Sequence, residues 1–348
     1  MTEHDRISEH HAAEQLESGE GFDERKFLRR VRTKSVLRAA VVSLLVVLVL
    51  SGAALGGAYL WLRGTVAQAA RIDSYYPDLV AISHPNTREL GPSVTHIHYP
   101  GASNDYASYR MVGSRPVAAG ILGVDFDVWE AEFLRGYDER WTVMSRRFFR
   151  GSDLVPELHF LHPHTPSEDQ NDIGPSLRAA AELSFARETA ESLRRLAATP
   201  PSYTAEVAVS FDRFLSLADL ESLASKDTTL AWGAVEVWDP QSAPLTPPVS
   251  AGQIVGVPFV TPEWVFGSMV SDTHQQAETN TLATLRRISQ RSRIGTARAT
   301  GTSATYLEEN GFRYYGAVLT GPPGVMLRIA RDRRVTAVSY GLAVAPWE

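Results

Sequence analysis

Histidine is the residue type here with the most evident chemistry. "THIHY" carries His96 and His98 two positions apart, the spacing that puts both imidazoles on one face of a strand. "HFLHPH" adds His159, His162 and His164. Neutral imidazole ligates zinc, copper or nickel, so these five residues would suit a metal sensor or metalloenzyme if the two stretches met. Nothing in their spacing requires a meeting, and no helical H-E-x-x-H pattern supplies a base. Partly buried strand histidines beside tyrosines account for the same residues without a metal. Other reactive patterns are missing. There is no cysteine, which excludes thiolate nucleophiles, cysteine-containing zinc motifs and disulfides. No G-x-S-x-G, S-x-x-K or P-loop pattern occurs. "TGPPG" (320–324) stands where a helix N-terminus could take a phosphate, but its two prolines offer no N–H; proline sets the helix start instead. The expectation is a protein without catalytic residues, metal or cofactor.

The elements that would position these histidines are short and strand-rich. "VTHIHY" (94–99), "YRMVG" (109–113), "VAAGILGVDF" (117–126) and "LVPELHFLHP" (154–163) read as strands. A helix opens at Pro175-Ser176 with Leu183, Ala186, Ala190, Leu193 and Ala197 on one face, and stops before Pro200-Pro201. Beyond that pair, "YTAEVAVSF" (203–211) alternates as a strand, and "SLADLESLA" is a helix with Ser216 as N-cap and Asp219 three residues on. "TLAWGAVEVW" (229–238) is a second strand, with Trp232 and Trp238 as core or interface residues. After a Pro/Ser/Gly-rich connection come a helix bearing Leu282, Leu285 and Ile288, a helical turn ending at Asn310-Gly311, the strand "FRYYGAVLT" (312–320), a further helix, and a strand over 335–344. The order βαβ…βαβ predicts an α+β fold whose last part is a split βαβ (ferredoxin-like) sandwich with an insertion.

Ahead of this lies a different kind of segment. Residues 39–62 form an uncharged run rich in Val, Leu, Ala and Gly, long enough as a helix to span a hydrocarbon core of about 30 Å. The run exceeds a signal-peptide apolar region and sits behind 38 residues of chain, so it reads as a permanent anchor, although Ala67-Gln68-Ala69 has the form of a cleavage site. Arg25, Lys26, Arg29, Arg30, Arg32, Lys34 and Arg38 precede it, against Arg63 and Arg71 after it. That asymmetry places the N-terminus in the cytoplasm and the rest outside. The expected division is a cytoplasmic tail over 1–38, a transmembrane helix over 39–62, a strand-rich extracytoplasmic domain over 63–199 and an α+β domain over 202–348. Gly52 and Gly56 form a small-xxx-small pair that permits close packing against a second copy or a small membrane protein. The formal net charge of −6, with no basic outer patch, argues against nucleic acid as a direct partner.

Residues 1–24 are polar and acidic, with too few apolar side chains to build a core, and are expected to be disordered alone. Ile7, Leu16 and Phe22, followed by Phe27, Leu28 and Val31 among the arginines, are the positions at which such a tail would fold onto a partner. "AEVAVSFDRFLSLADLESL", a tryptophan-bearing strand and the closing "GFRYYGAVLTGPPGVMLRI" resemble the C-terminal domain of the bacterial sigma factor regulator family, and the anchor through "YASYRMVGSRPVAAG" resembles its N-terminal region. The resemblance implies a single-pass membrane anti-sigma factor whose tail holds an extracytoplasmic-function sigma factor. The chain departs from the His/Cys zinc fold of other anti-sigma domains in having no cysteine. An anchored envelope binding or scaffolding module, with the tail serving only as a topology signal, is the other reading.

Overall fold

The structure, a computed structural model, describes residues 24–89, 93–98, 101–127, 132–135, 158–161, 175–237, 255–260, 273–291 and 294–346. The chain divides into two compact units, residues 1–63 and 64–348. Of the first, helix α1 (Glu24–Asp73) contributes its leading part. It is long and apolar enough to cross a membrane, and its large apolar side chains from Val36 to Leu62, apart from the half-buried Trp61, are exposed.

The second unit contains the end of α1, helix α2 (Tyr76–Ser83) and two antiparallel sheets. In the first sheet, β1 (Thr87–Glu89) and β2 (Val94–His98) both pair with β3 (Gly101–Val112), which pairs with β4 (Arg115–Asp127), and that with β5 (Glu132–Arg135). The second sheet is made of β6 (Thr204–Leu215), β7 (Thr229–Val235), β8 (Val255–Pro258), β9 (Tyr314–Gly321) and β10 (Val335–Val344), in the order β10-β6-β9-β7-β8. Because β6 and β7 are each antiparallel to β9, they run the same way with β9 between them. By the same reasoning β9 and β10 are parallel across β6. Its helices are α3 (Pro175–Ala198), α4 (Leu217–Leu223), α5 (His274–Arg291), α6 (Ile294–Asn310) and α7 (Pro323–Ile329).

Both faces of the second sheet are covered. Val207, Val209, Phe211, Leu230, Ala317 and Leu319 join Leu220 of α4, Leu285 and Ile288 of α5, Leu307 of α6 and Met326 of α7. The same cluster continues through Ile72, Tyr76, Tyr106 and Leu122, so both sheets share one apolar core. On the opposite face, Ala208, Trp232, Tyr315 and Val318 pack against Leu158 and Phe160. Gly256 of β8 lies beneath Trp232, where any Cβ would intrude into the indole ring. The Ser216 side chain accepts from the Asp219 N–H while Asp219 reaches back to the Ser216 N–H, closing the expected capping box.

Of the face expected for helix α3, only Leu193 packs against the core. Leu183 is 60% exposed, and Ala186, Ala190 and Ala197 are exposed too. Ser192 and Leu196 are buried instead. The cause is that α3 lies along the edge strand β10, whose outward N–H groups need acceptors. Thr189 Oγ1 accepts from Val338 N–H at 3.0 Å and Ser192 Oγ from Tyr340 N–H at 3.0 Å, which closes that edge to further strand pairing.

Candidate functional site

His96 and His159 have separate carboxylate neighbours. His96 Nε2 lies 3.3 Å from Asp105 Oδ2, while His98 stays exposed on the same strand. His159 Nδ1 lies 3.1 Å from Glu188 of α3, whose carboxylate also accepts from Ser339. His162 and His164 lie outside the described residues. Among the described residues no three His, Asp or Glu side chains converge as metal ligands. Of the proposed tail contacts, Ile7, Leu16 and Phe22 are likewise outside the described residues, whereas Phe27, Leu28 and Val31 lie on α1 and are exposed.

A site that sequence reasoning did not single out lies where α1 ends. Thr65, Gln68, Ala69 and Ile72 are buried at a spacing of three or four, one face of the last three turns. Asp73, the last residue of α1, accepts three hydrogen bonds through Oδ1: from Tyr106 Oη at 2.6 Å, Asn104 Nδ2 at 2.9 Å and Ser93 Oγ at 2.8 Å. Asn104 Nδ2 also donates to the Ala69 carbonyl at 3.3 Å. Strand β3 therefore grips the helix end through side chains that alternate onto one face, Asn104 and Tyr106. The Tyr106 hydroxyl is held far above its ordinary titration range by burial and by its bond to Asp73.

Helix α2 ties this socket to the second sheet. Tyr76 stacks against Tyr106 at 4.4 Å between ring centroids. Trp232 Nε1 donates to the Ala81 carbonyl at 3.0 Å, and Arg88 spans from Ala81 O to Val260 O at 3.3 and 3.1 Å. Asp78 pairs with Arg287 at 2.6 Å, yet burial outweighs that cation and raises its carboxyl above the usual value. Glu89, on β1, is pushed up to about 8, first by burial and then by Asp73 and Asp78. Its Oε2 is buried with no hydrogen-bond partner among the described residues.

A second polar contact joins the two sheets. Asn86, at a left-handed φ of 53°, donates to the Met111 carbonyl at 2.8 Å and to Glu206 Oε1 at 2.6 Å. Glu206 Oε2 faces Arg110 Nη1 at 3.4 Å, with both side chains at most 2% exposed. Gly341 leaves room for that carboxylate, which a Cβ there would strike. The legible signal was a charged residue inside the apolar strand "AEVAVSF".

The arrangement combines a helix end held by hydrogen bonds to the Asp73 carboxylate, a short bridging helix and a buried ion pair. It is suited to bearing load between α1 and the sheets. No curated protein and no solved structure matches the chain. The stretch from Leu196 at the end of α3 to Gly341 in β10, which includes β6 to β9 and α4 to α7, does match a family, that of sigma factor regulator C-terminal domains, residues 196–341. The chain is thus similar to sigma factor regulators over those residues, and it has one apolar helix near the N-terminus that fits a single-pass anchor.

Proposed function

We propose that the chain is a single-pass membrane anti-sigma factor. Its basic N-terminal flank stays in the cytoplasm, its tail binds an extracytoplasmic-function sigma factor around Ile7, Leu16, Phe22, Phe27, Leu28 and Val31, and the unit after residue 63 lies outside and biases that hold. The observation that carries the reading is the family match over 196–341 on a chain whose apolar helix has seven Lys or Arg residues just before it, between Arg25 and Arg38. In this reading the second sheet is a split βαβ, ferredoxin-like sandwich with β8, α5 and α6 inserted, and it works as a sensor without catalysis. A signal that alters the socket around Asp73 changes the depth or rotation of α1, or its packing against a second copy through Gly52 and Gly56.

The test is a pull-down from detergent-solubilised membranes, with full-length protein compared against a variant lacking residues 1–24. A sigma factor recovered only with the full-length chain supports the reading and maps its contact to the tail. Recovery of no sigma factor with either form overturns it, and equal recovery of envelope proteins with both favours the scaffolding alternative.

A further inference from the structure

Three carboxyl groups from three elements, Asp73, Asp78 and Glu89, lie within electrostatic reach of one another near the end of α1, and their surroundings differ. Asp73 of α1 accepts hydrogen bonds from three donors. Asp78 of α2 has Arg287 in contact and Arg291 nearby, both from α5. Glu89 of β1 has a buried oxygen with no donor among the described residues; it pairs with Ser108 of β3, two residues along the same strand face from Tyr106, whose hydroxyl donates to Asp73, and the charges of Asp73 and Asp78 act on it. A carboxyl so placed is accommodated as the neutral acid, while its anion would sit beside the carboxylate that seats the helix.

We propose that Glu89 is a proton-operated latch on the seating of α1: protonated, it leaves Asp73 bound to Tyr106 and Asn104, and on ionisation it repels Asp73 and loosens the helix end. The inference rests on the proposed function only in treating the seating of α1 as the regulated quantity. The direction follows from linkage. Seated, Glu89 titrates at about 8, against an ordinary value of 4.5 once released to water. Between those values the seated form holds a proton that the released form has lost, so seating is strongest below pH 4.5 and weakens as pH rises, by about tenfold per unit. Above a pH of about 8 the loss levels off, because both forms are then ionised.

The experiment is hydrogen–deuterium exchange on the full chain in lipid nanodiscs, following peptides that cover residues 64–73 and correcting for intrinsic exchange. For the native chain, protection of these amides should fall roughly 50-fold between pH 6 and pH 8, while Glu89→Gln should show a flat profile. Protection that is flat in the native chain, or that falls equally in the variant, overturns the proposal. An infrared titration of the native chain decides the matter even if the variant does not fold: a protonated carboxyl band at pH 7 that disappears near pH 8 is expected, and its absence refutes the latch. Neither readout involves a sigma factor, so loss of the regulator reading and loss of the latch are distinguishable.

Discussion

Replacing Glu206 with alanine tests whether the two sheets fold as one. Its carboxylate is fully buried and receives Asn86 Nδ2 at 2.6 Å and faces Arg110 at 3.4 Å. Removing it leaves the Arg110 guanidinium, 2% exposed, without the carboxylate opposite, a loss of about 3–5 kcal/mol for a broken buried pair. Asn86 keeps its bond to Met111 O, so its share of the loss is small. The double variant Glu206→Leu with Arg110→Met replaces both charges with apolar groups of similar size and should return to within about 1 kcal/mol of the native chain. The assay is urea unfolding of the detergent-solubilised chain followed by tryptophan fluorescence, with Trp232 reporting from the second sheet. Because Arg110 is on the first sheet and Glu206 on the second, the single variant should shift one cooperative transition rather than split it. A cost below about 1 kcal/mol for Glu206→Ala, or a double variant as unstable as the sum of the singles, would refute the reasoning.

Four further outcomes are expected. Gly256→Ala forces a methyl against the Trp232 indole and should lower stability by about 1–3 kcal/mol in the same urea assay. Ser216→Ala removes the α4 cap and should cost about 1 kcal/mol. Burial, with Arg110's charge second, lowers the His84 imidazole from 6.5 to about 4; the folded state therefore binds this proton less readily than the unfolded one, and stability falls as pH drops through that window. His84→Gln should remove about 2–3 kcal/mol of that acid loss, measured as denaturation midpoints at pH 7 and pH 4. Leu50→Arg places a charge in the middle of the apolar run of α1 at about 2.5–3.5 kcal/mol of insertion free energy, so the fraction resisting carbonate extraction should drop.

What could be read from the residues divides along physical lines. The uncharged run of α1, the Ser216–Asp219 cap and strands β6, β7, β9 and β10 are written in local pattern, because each depends on its own residues. Helix α2 is not: "YPDLVAIS" is a short run after a proline, and it holds its shape through Tyr76 on Tyr106 and the Trp232 bond to Ala81 O. The first half of β3, "GASNDY", is small and polar and reads as a loop. It is a strand because its polar groups find partners from outside, Asn104 from Asp73 and Thr95, and Asp105 from His96. The alternation in "AEVAVSF" was real, but its polar face does not meet water. Glu206 meets Asn86 and Arg110, and Ser210 accepts from the Leu161 N–H at 2.8 Å. Period-two patterning identifies two faces of a strand without saying what covers the polar one.

The socket is suited to control because little holds it compared with the sheets beside it. Of the four residues that bury the last turns of α1, two are polar, leaving Ala69 and Ile72 as the apolar contribution, about 2–3 kcal/mol. The Tyr106 and Asn104 bonds to Asp73 are made to a charged acceptor and add about 1.5–3 kcal/mol each. The seat is thus worth several kcal/mol, while each sheet is held by a full ladder and shared core. Moving the Glu89 carboxyl from about 8 to 4.5 corresponds to at most about 5 kcal/mol between the fully protonated and fully ionised limits. A single proton therefore carries free energy of the same size as the grip on the helix, and much less than would be needed to unfold the sheets. A perturbation at this site can release α1 while leaving the surrounding fold intact, whereas one at the Glu206 pair cannot separate the sheets without exposing their common core.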